Sequence, residues 1–388
     1  MNFLEPQDWS FPVPIVYSPG RLREIAELSV RAAMNKPLVV TDRRSAALPF
    51  IADLQSHLSR GGMASVLYAN ISPNPRDDEI AMAKAQYTAG DHEGVIAIGG
   101  GSGMDGGKAL ALTANNDLDL WAFEYRQTPP DMSARRAFPP LITILTTAGT
   151  GAETESTAMV TYTARMMKWC LWHAELKPAF AVLDPELTVG LPANLTAWTG
   201  VDAMVHAIEA YCVPGFNPLC DGMVVEGLRL VAHWLPEEVA EPSKVEARGA
   251  MLAGSCLSRI AFLKGLGLVH TISHMVVAEY DTQHGLTKAI VLPTALRHNA
   301  PAMTNRLAVM AQAMGLSDTS FEAFYTHICA LLDQLGISKK QVKIGVAPDC
   351  AARIAGKALE NSAAGTNVLA LTLHDIEQVI AQVLASGR

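Results

Sequence analysis

The chain has 388 residues, of which 49% are hydrophobic and 18% are charged, and its formal net charge is −8. At about 150 residues per domain, this length predicts at least two domains. The composition excludes a disordered or fibrous protein. Positive and negative charges are mixed along the chain and form no basic block, so a nucleic acid partner is not expected. The acidic clusters 77–79 and 237–238 are short and are interpreted as solvated helix faces.

Six cysteines are scattered along the chain, and no two of them form a C-x-x-C pair. In a chain of this size they are expected to be buried thiols in a reducing compartment. The first residues lack the basic and apolar regions of a signal peptide, and no run of about 18 apolar residues appears. The sequence therefore predicts a cytoplasmic protein without a membrane partner.

The first half of the chain alternates short β-branched runs with helical stretches. Strands are predicted at 37–41, 64–68, 94–98 and 141–145, and a helix at 80–88 lies between the second and third of them. Repeated succession of strand and helix predicts a parallel sheet with helices on both faces.

From about Thr196 onward the strand pattern disappears, and helical periodicity predicts helices within 223–234, 245–262 and 373–384. The change falls near Gly190-Leu191-Pro192. We therefore expect two domains. Residues 1–190 are predicted to form an α/β dinucleotide-binding domain, and residues 191–388 a helical domain that binds metal and carries the catalytic site.

A glycine-rich turn, Gly-Gly-Gly-Ser-Gly-Met-Asp-Gly-Gly-Lys at 99–108, follows the strand 94–98 and leads into a helix. A strand, a glycine loop and a helix N-terminus together form an anion site, because the backbone can approach a pyrophosphate and free amides point at it. The amides of Gly100, Gly101 and Ser102 are the predicted contacts. The spacing is not that of a P-loop, and a tight turn without a ligand is the alternative interpretation.

A second polar loop, Thr-Thr-Ala-Gly-Thr-Gly-Ala-Glu at 146–153, follows another strand, and Asp42 ends the strand that contains Val40. Loops at the carboxyl ends of parallel strands can bind one ligand across the sheet edge. A carboxylate at Asp42 could accept hydrogen bonds from an adenosine ribose and would repel a 2′-phosphate, which favours NAD over NADP. The alternative for Asp42 is a helix N-cap.

Acidic and histidine side chains recur at helical spacing in the second half. Asp202 and His206 are four residues apart, and so are His270 and His274, while His284 precedes another apolar helix. A pair at this spacing shares one helix face and can chelate a divalent ion such as Fe(II) or Zn. An isolated pair of this kind is more often a surface pair or a cap, but the apolar flanks of His270 and His274 predict buried imidazoles that need partners.

Taken together and in order, these motifs resemble those of the iron-containing (group III) alcohol dehydrogenase family. The resemblance covers residues from about 12 to about 300. It is carried by the motifs at 99–108 and 146–153, by Asp-Pro-Glu-Leu-Thr at 184–188, by Thr-Gly-Val-Asp-Ala at 199–203 with His-Ala-Ile-Glu at 206–209, and by the histidines at 270, 274 and 284. The last 80 or so residues carry no motif that contributes to it.

The resemblance implies a fold and a set of site residues. The fold is an N-terminal Rossmann-like α/β domain followed by an all-α C-terminal domain, as in dehydroquinate synthase-like proteins and iron alcohol dehydrogenases. One aspartate and three histidines bind the metal in that family, and they map here onto Asp202, His206, His270 and His284. The family histidine beside the nicotinamide maps onto His274, and a lysine that contacts the cofactor onto Lys168. The remaining predicted cofactor residues lie in the two loops: Asp105, Thr146, Thr147 and Thr150.

Two positions depart from the family pattern. Gly107 stands where the family usually has alanine, which predicts a small change in helix packing. The stretch 166–173 is unusually aromatic. It could reshape the cofactor or substrate pocket, although a strand with a hydrophobic face is the favoured interpretation.

The predicted function is a hydride transfer between NAD(P) and an alcohol, aldehyde or ketone at a metal, with Fe(II) favoured over Zn and a homodimer or higher homo-oligomer expected. His274 is the candidate for passing the proton outward, with a hydrogen-bonding role beside the metal as the alternative. A maleylacetate reductase or a hydroxyacid–oxoacid transhydrogenase on the same fold, and a regulatory protein that binds metal or nucleotide without catalysis, are the other hypotheses.

Overall fold

The computed structural model describes residues 13–133, 138–337, 345–347 and 349–385. The chain divides into two compact units. The sheet unit comprises the described part of Phe11–Thr147 together with Ala152–Val189. The helical unit comprises Ala148–Gly151 and the described part of Gly190–Arg388.

The sheet unit contains a six-stranded parallel sheet in the order β1-β8-β5-β4-β2-β3 and an antiparallel hairpin of β6 and β7. Its strands are β1 (Ile15–Tyr17), β2 (Pro37–Asp42), β3 (Val66–Ile71), β4 (Gly94–Gly99), β5 (Leu141–Leu145), β6 (Thr157–Tyr162), β7 (Met167–Trp172) and β8 (Phe180–Leu183). Its α-helices are α1 (Ile25–Arg31), α2 (Pro49–Arg60), α3 (Asp77–Ala89) and α4 (Gly101–Thr113).

The burial of the central strands is consistent with a parallel sheet that has helices on both faces. All residues of β2, β4 and β5 are buried, as is typical of strands with helices on both faces. Helix α4 lies close to β4, because a Cβ at Gly107 would lie 2.5 Å from the Cβ of Ala97. This contact gives the physical reason for glycine at 107, where the family usually has alanine.

The predicted strands at 37–41, 94–98 and 141–145 are confirmed. The second strand is displaced: β3 begins at Val66 and ends at Ile71, rather than spanning 64–68. Ile71 is fully buried and pairs with Asp42, whereas Ala64 is exposed. The aromatic stretch at 166–173 forms β7, which agrees with the favoured interpretation of a strand.

The helical unit contains α-helices and short 3-10 turns and, among its described residues, no strand. Its α-helices are α5 (Ala193–Cys212), α6 (Pro218–Ala240), α7 (Val245–Ile260), α8 (Leu268–Tyr280), α9 (His284–Asn299), α10 (Thr304–Ala313), α11 (Phe321–Gln334), α12 (Ala351–Ala358) and α13 (Leu373–Ala385). Small residues let the first helices of this unit pack closely. A Cβ at Gly200 on α5 would lie 2.1 Å from Leu235 of α6, for example. The predicted fold class, an α/β domain plus a helical domain, is confirmed.

The acidic clusters are not simply solvated helix faces, so that interpretation was wrong. Glu79 is buried and accepts hydrogen bonds from Arg43 (2.8 Å) and from the backbone and hydroxyl of Ser72. Glu238 is buried against Arg248, 3.1 Å away. Buried carboxylates need such partners, and the sequence pattern alone did not show them.

None of the six cysteines forms a disulfide, and five of them are buried as predicted, whereas Cys329 is partly exposed. Among the described residues, no helix combines the length and the hydropathy needed to cross a membrane.

Candidate metal and cofactor sites

The glycine loop lies at the carboxyl edge of the sheet, between β4 and α4. Gly99 has a φ of 142°, and a Cβ at Gly103 would lie 2.6 Å from the carbonyl oxygen of Ile98. Gly100 precedes α4 without a side chain that caps the helix. The first amides of α4 therefore stay available to an anion, as the spacing predicts.

The other predicted cofactor residues at this edge come from the neighbouring strands. Because β2, β4 and β5 are adjacent, Asp42, Gly99 and Thr146 end neighbouring strands, and the Thr146 amide donates to the Gly99 carbonyl at 2.9 Å. The Thr147 hydroxyl is buried beside Gly100 and has no hydrogen-bond partner among the described residues. The structure thus brings these residues together on one side of the sheet.

The carboxylate of Asp42 is engaged by the turn that follows β2. It accepts hydrogen bonds from the backbone of Arg44 at 3.0 Å, from the backbone of Ser45 at 3.1 Å and from the Ser45 hydroxyl at 2.6 Å. This is the capping arrangement that the sequence left open as an alternative. A carboxylate has about four acceptor positions, so this arrangement is compatible with a further ligand.

Ser102 and Lys168 contact the loop after β3. The Ser102 hydroxyl donates to the Pro73 carbonyl at 2.5 Å, and the Lys168 ammonium donates to the Asn74 side chain at 3.3 Å. Asp105 is half-buried on α4, whereas Thr150 belongs to the segment 148–151 of the helical unit. The sheet unit alone therefore does not assemble the whole predicted cofactor set.

The four predicted metal ligands lie on three helices of the helical unit. Asp202 and His206 face the same side of α5, with 3.6 Å between the Asp202 Oδ1 and the His206 Nδ1. The His270 ring on α8 lies 4.7 Å from the His206 ring, centroid to centroid. One donor atom from each of Asp202, His206 and His270 lies within 4.8 Å of the others, and all three residues are buried.

Glu209 orients the His270 ring. Its Oε2 lies 2.5 Å from the His270 Nδ1, so this nitrogen carries the proton and donates to the carboxylate. The opposite nitrogen, Nε2, is then a lone-pair donor, and it is buried without a hydrogen-bond partner among the described residues. A histidine held by a carboxylate on one nitrogen is the usual geometry of a metal ligand.

The same carboxylate fixes the start of α8. Glu209 accepts hydrogen bonds from the backbone of Gly267 (3.1 Å), Val269 (2.6 Å) and His270 (3.4 Å). Asn367, far along the chain, accepts from the Leu268 amide at 3.0 Å. Since helix N-terminal amides lack partners within the helix, these two side chains replace the missing ones.

The last predicted ligand, His284, begins α9. Its ring stacks on His274 with 5.4 Å between centroids, and it lies 6.3 Å from the His270 ring. Gly285 allows this approach, because a Cβ there would lie 2.2 Å from the Trp198 carbonyl of α5. His284 thus lies beside His270 but outside the group of three donor atoms that lie within 4.8 Å of one another.

His274 lies one helical turn after His270, with 5.6 Å between their ring centroids. Its Nδ1 lies 3.2 Å from the Asn361 amide nitrogen. Because an amide NH₂ can only donate, Nδ1 accepts and the proton of the neutral ring is on Nε2.

Two cationic side chains also reach the donor set. The Lys288 ammonium is fully buried, contacts Asp202 Oδ1 directly and lies 3.4 Å from His206 Nε2. The Arg259 guanidinium lies 3.0 Å from the same His206 nitrogen. Neither residue was predicted, although Lys288 lies four residues after His284, the spacing that singled out the other pairs.

Burial controls the ionisation of this cluster. The pKa of His206 and that of His270 are both well below the usual value, first because burial disfavours the charged ring and second because Lys288 is close. Burial also lowers the pKa of Lys288 to about 8 and raises the pKa of Glu209 to about 7. The imidazoles are therefore neutral at neutral pH, which is the form that binds a metal.

These residues fit a divalent metal ion. The donors are imidazole nitrogen and carboxylate oxygen, which suit Fe(II), Zn and similar ions. The buried His270 Nε2 is a donor that the protein itself leaves unused, whereas a structural histidine would be expected to satisfy both nitrogens.

Comparison with known proteins agrees with this fold and this chemistry. The family model "Iron-containing alcohol dehydrogenase" matches residues 12–185, and the family model "Fe-containing alcohol dehydrogenase family, C-terminal" matches residues 196–384. The NAD-dependent methanol dehydrogenase of Bacillus methanolicus is 31% identical over 380 residues, covering 96% of this chain and 98% of that protein. The 4-hydroxybutyrate dehydrogenase of Cupriavidus necator is 32% identical, covering 91% of this chain and 93% of that protein.

Solved structures give the same result. An alcohol dehydrogenase from Oenococcus oeni has a TM-score of 0.91 at 30% identity, covering 97% of this chain and 100% of that chain. A 1,3-propanediol oxidoreductase has a TM-score of 0.91 at 28% identity with the same coverage. The fold and the donor set define a metal-dependent oxidoreductase that acts on alcohols and aldehydes. The chain belongs to the iron-containing alcohol dehydrogenase family.

Proposed function

We propose that this protein is an NAD-linked alcohol dehydrogenase or aldehyde reductase whose metal is bound by Asp202, His206, His270 and His284. The observation that carries this proposal is the His270 ring, whose Nδ1 is held by Glu209 while its buried Nε2 lies with the donors of Asp202 and His206. The 6.3 Å between the His284 and His270 ring centroids supports the inclusion of His284.

The cofactor is proposed to bind at the carboxyl edge of the sheet. Its pyrophosphate would lie on the amides of Gly100, Gly101 and Ser102, and Asp42 would accept from the adenosine ribose. The further contacts proposed for it are Asp105, Thr146, Thr147, Thr150 and Lys168. The free start of α4 supports this assignment, and the relative from Bacillus methanolicus is described as NAD-dependent.

The chain's own residues would orient the metal ligands and transfer the proton. When bound, the metal supplies a Lewis acid that polarises a carbonyl or lowers the pKa of a hydroxyl, and the nicotinamide accepts or donates the hydride. Glu209 holds the His270 proton on Nδ1 and so leaves the lone pair on Nε2. His274, with its proton on Nε2, is proposed to pass a proton outward, and Asn361 holds its other nitrogen.

Several finer points belong to the same proposal. Fe(II) is the proposed metal, with Zn as the alternative that the same donors accept. We propose the domain boundary at 190/191, which lies between the two family matches. The protein is further proposed to act as a homo-oligomer in the cytoplasm, on a small alcohol or aldehyde.

Two substitutions test the metal assignment. Protein purified with its metal retained is assayed for bound Fe and Zn, and nicotinamide absorbance is followed with a panel of alcohols and aldehydes, using NAD and NADP separately. Asp202→Ala and His270→Ala should each lose most of the metal and the turnover. Ser273→Ala is the control that should retain both, because the Ser273 hydroxyl donates to the backbone carbonyl of His270 within α8. Full metal and full turnover in either variant would show that the ligands lie elsewhere.

A further inference from the structure

The helical unit contains a fully buried ammonium inside the proposed donor set. Lys288, on α9, ion-pairs with Asp202 Oδ1 of α5 and lies 3.4 Å from the Nε2 of His206. Both the ammonium and its carboxylate partner are almost inaccessible to solvent, at 0% and 2% exposure of the side chains. This pair is distinct from the surface ion pairs of the chain, which water screens.

The atoms that Lys288 contacts are the ones that a metal would need. A neutral imidazole has one lone pair, which can accept a hydrogen bond or bind a metal but cannot do both. The Nε2 of His206 already has the Arg259 guanidinium at 3.0 Å in addition to the Lys288 ammonium. A carboxylate can serve two cations, but two positive charges a few ångströms apart in a buried site repel each other strongly.

We propose that Lys288 is an internal cation that competes with the divalent metal for Asp202 and His206. In the metal-free protein the ammonium neutralises the buried Asp202 carboxylate and keeps the donor set assembled. Metal can bind only when Lys288 gives up its contact with Asp202. This inference rests on the proposed function in that Asp202 and His206 are taken to be metal ligands.

The competition has two measurable consequences of opposite sign. Removal of the charge at 288 should tighten metal binding, because no cation has to be displaced and none repels the metal. It should also destabilise the metal-free protein, because an unpaired buried carboxylate is costly. The gain in melting temperature on addition of metal should therefore increase. A lysine that served only to pack the helices would lower stability with and without metal and leave metal affinity unchanged.

The test is a metal titration of the full chain, stripped of metal, in wild type and three variants. Zn²⁺ affinity is measured by competition with a chromophoric chelator, and thermal melting is recorded with and without Zn²⁺. Lys288→Met and Lys288→Gln remove the charge at similar volume, and each should bind Zn²⁺ at least about tenfold more tightly. Lys288→Arg retains the charge and should stay within about threefold of wild type. Gln can still hydrogen-bond to Asp202, so it provides a folded neutral variant if Met is unstable.

A second buried lysine in the same unit is the matched control. The Lys264 side chain is 3% exposed and pairs with Asp221, which is not a proposed metal ligand, so Lys264→Met should leave Zn²⁺ affinity unchanged. Equal Zn²⁺ affinity in wild type, Lys288→Met and Lys288→Gln, with site-bound metal in all three, would overturn the competition and leave the proposed metal site intact. If neither wild type nor the neutral variants bind metal at one equivalent, the metal site itself is wrong and the competition falls with it.

Discussion

Among the described residues, each of the two units buries one lysine completely, and the two lysines have different partners. Lys108 of the sheet unit lies on α4 and donates to the Thr157 carbonyl of β6 at 2.9 Å. Lys288 of the helical unit contacts a carboxylate and an imidazole. The partner of Lys108 is a backbone carbonyl, whereas the partners of Lys288 are two of the proposed metal ligands.

The difference between the two lysines indicates that buried polar side chains have different roles in the two units. In the sheet unit, backbone amides form the proposed anion site, and the buried Lys108 holds the hairpin. In the helical unit, side chains are the proposed metal ligands, and the buried charge of Lys288 contacts two of them. Burial alone therefore does not identify a functional lysine, because the chemistry of its partners decides.

The largest effect expected from this comparison is on metal affinity after loss of Glu209. Glu209→Ala removes the carboxylate that fixes the His270 tautomer and the amides at the start of α8. Loss of such a partner usually weakens metal binding by about 10–100-fold. We expect a reduction of that size in the chelator competition assay.

Glu238 is the control for this substitution, because it is also a buried carboxylate on a helix of the same unit but pairs with Arg248. Glu238→Ala should destabilise the protein, since it leaves a buried guanidinium without its counter-ion. Its metal affinity should not change. If both variants lose metal affinity equally, the effect of Glu209 is a general loss of structure and the contrast between the two carboxylates disappears.

A substitution in the glycine loop should affect the proposed cofactor site of the sheet unit. In Gly103→Ala, the new methyl would lie 2.6 Å from the Ile98 carbonyl, so the loop must shift. Overpacking of this kind costs about 1–3 kcal/mol, and we expect NADH affinity to fall about tenfold in a fluorescence titration. Zn²⁺ affinity should be unchanged. Gly222→Ala, which meets nothing within 4 Å, is the control. Undiminished NADH binding by Gly103→Ala would place the nucleotide elsewhere.

The elements that could be predicted from the sequence are those formed by consecutive residues. The strands at 37–41, 94–98 and 141–145 could be predicted because each is a short run rich in apolar and β-branched residues, and the glycine loop could be recognised because its residues are consecutive. β1 and β8 were not predicted. They are short, with three and four residues, and β1 alternates exposed and buried positions at the sheet edge.

Contacts between residues that are far apart in the sequence could not be predicted. Glu209 and His270 are 61 residues apart and Lys288 and Asp202 are 86 apart, so no local pattern joins them. Asn367, which holds the start of α8, lies in the C-terminal stretch that carried no motif. The helical spacing of His284 and Lys288 was nevertheless present in the sequence and was the one local sign of the buried cation.

A smaller effect is expected for the other fully buried lysine. Lys108→Met removes the donor to the Thr157 carbonyl and leaves that acceptor buried. We expect a loss of about 1–3 kcal/mol in chemical denaturation, with Zn²⁺ affinity equal to wild type. A change in metal affinity as large as that of Lys288→Met would mean that burial, rather than the partner, determines the role of a lysine in this chain.

The smallest effect compares two buried histidines. His92 of the sheet unit is buried beside the Lys36 carbonyl, 3.2 Å from its Nδ1, and burial lowers its pKa below the usual 6.5. The unfolded chain then binds the proton more readily, so the stability contributed by neutral His92 is present above pH 6.5 and is lost as the pH falls through its folded pKa. Denaturation at pH 7.5 and pH 5.5 should therefore show a slightly smaller acid-induced loss in His92→Gln than in wild type, and no dependence of that difference on added Zn²⁺. For His270→Gln, in contrast, the difference from wild type in acid-induced loss should depend on added Zn²⁺, because Zn²⁺ competes with the proton for the Nε2 lone pair of His270. If Zn²⁺ changed the acid-induced loss equally for both histidines, burial for packing and burial for metal binding would not differ in this chain.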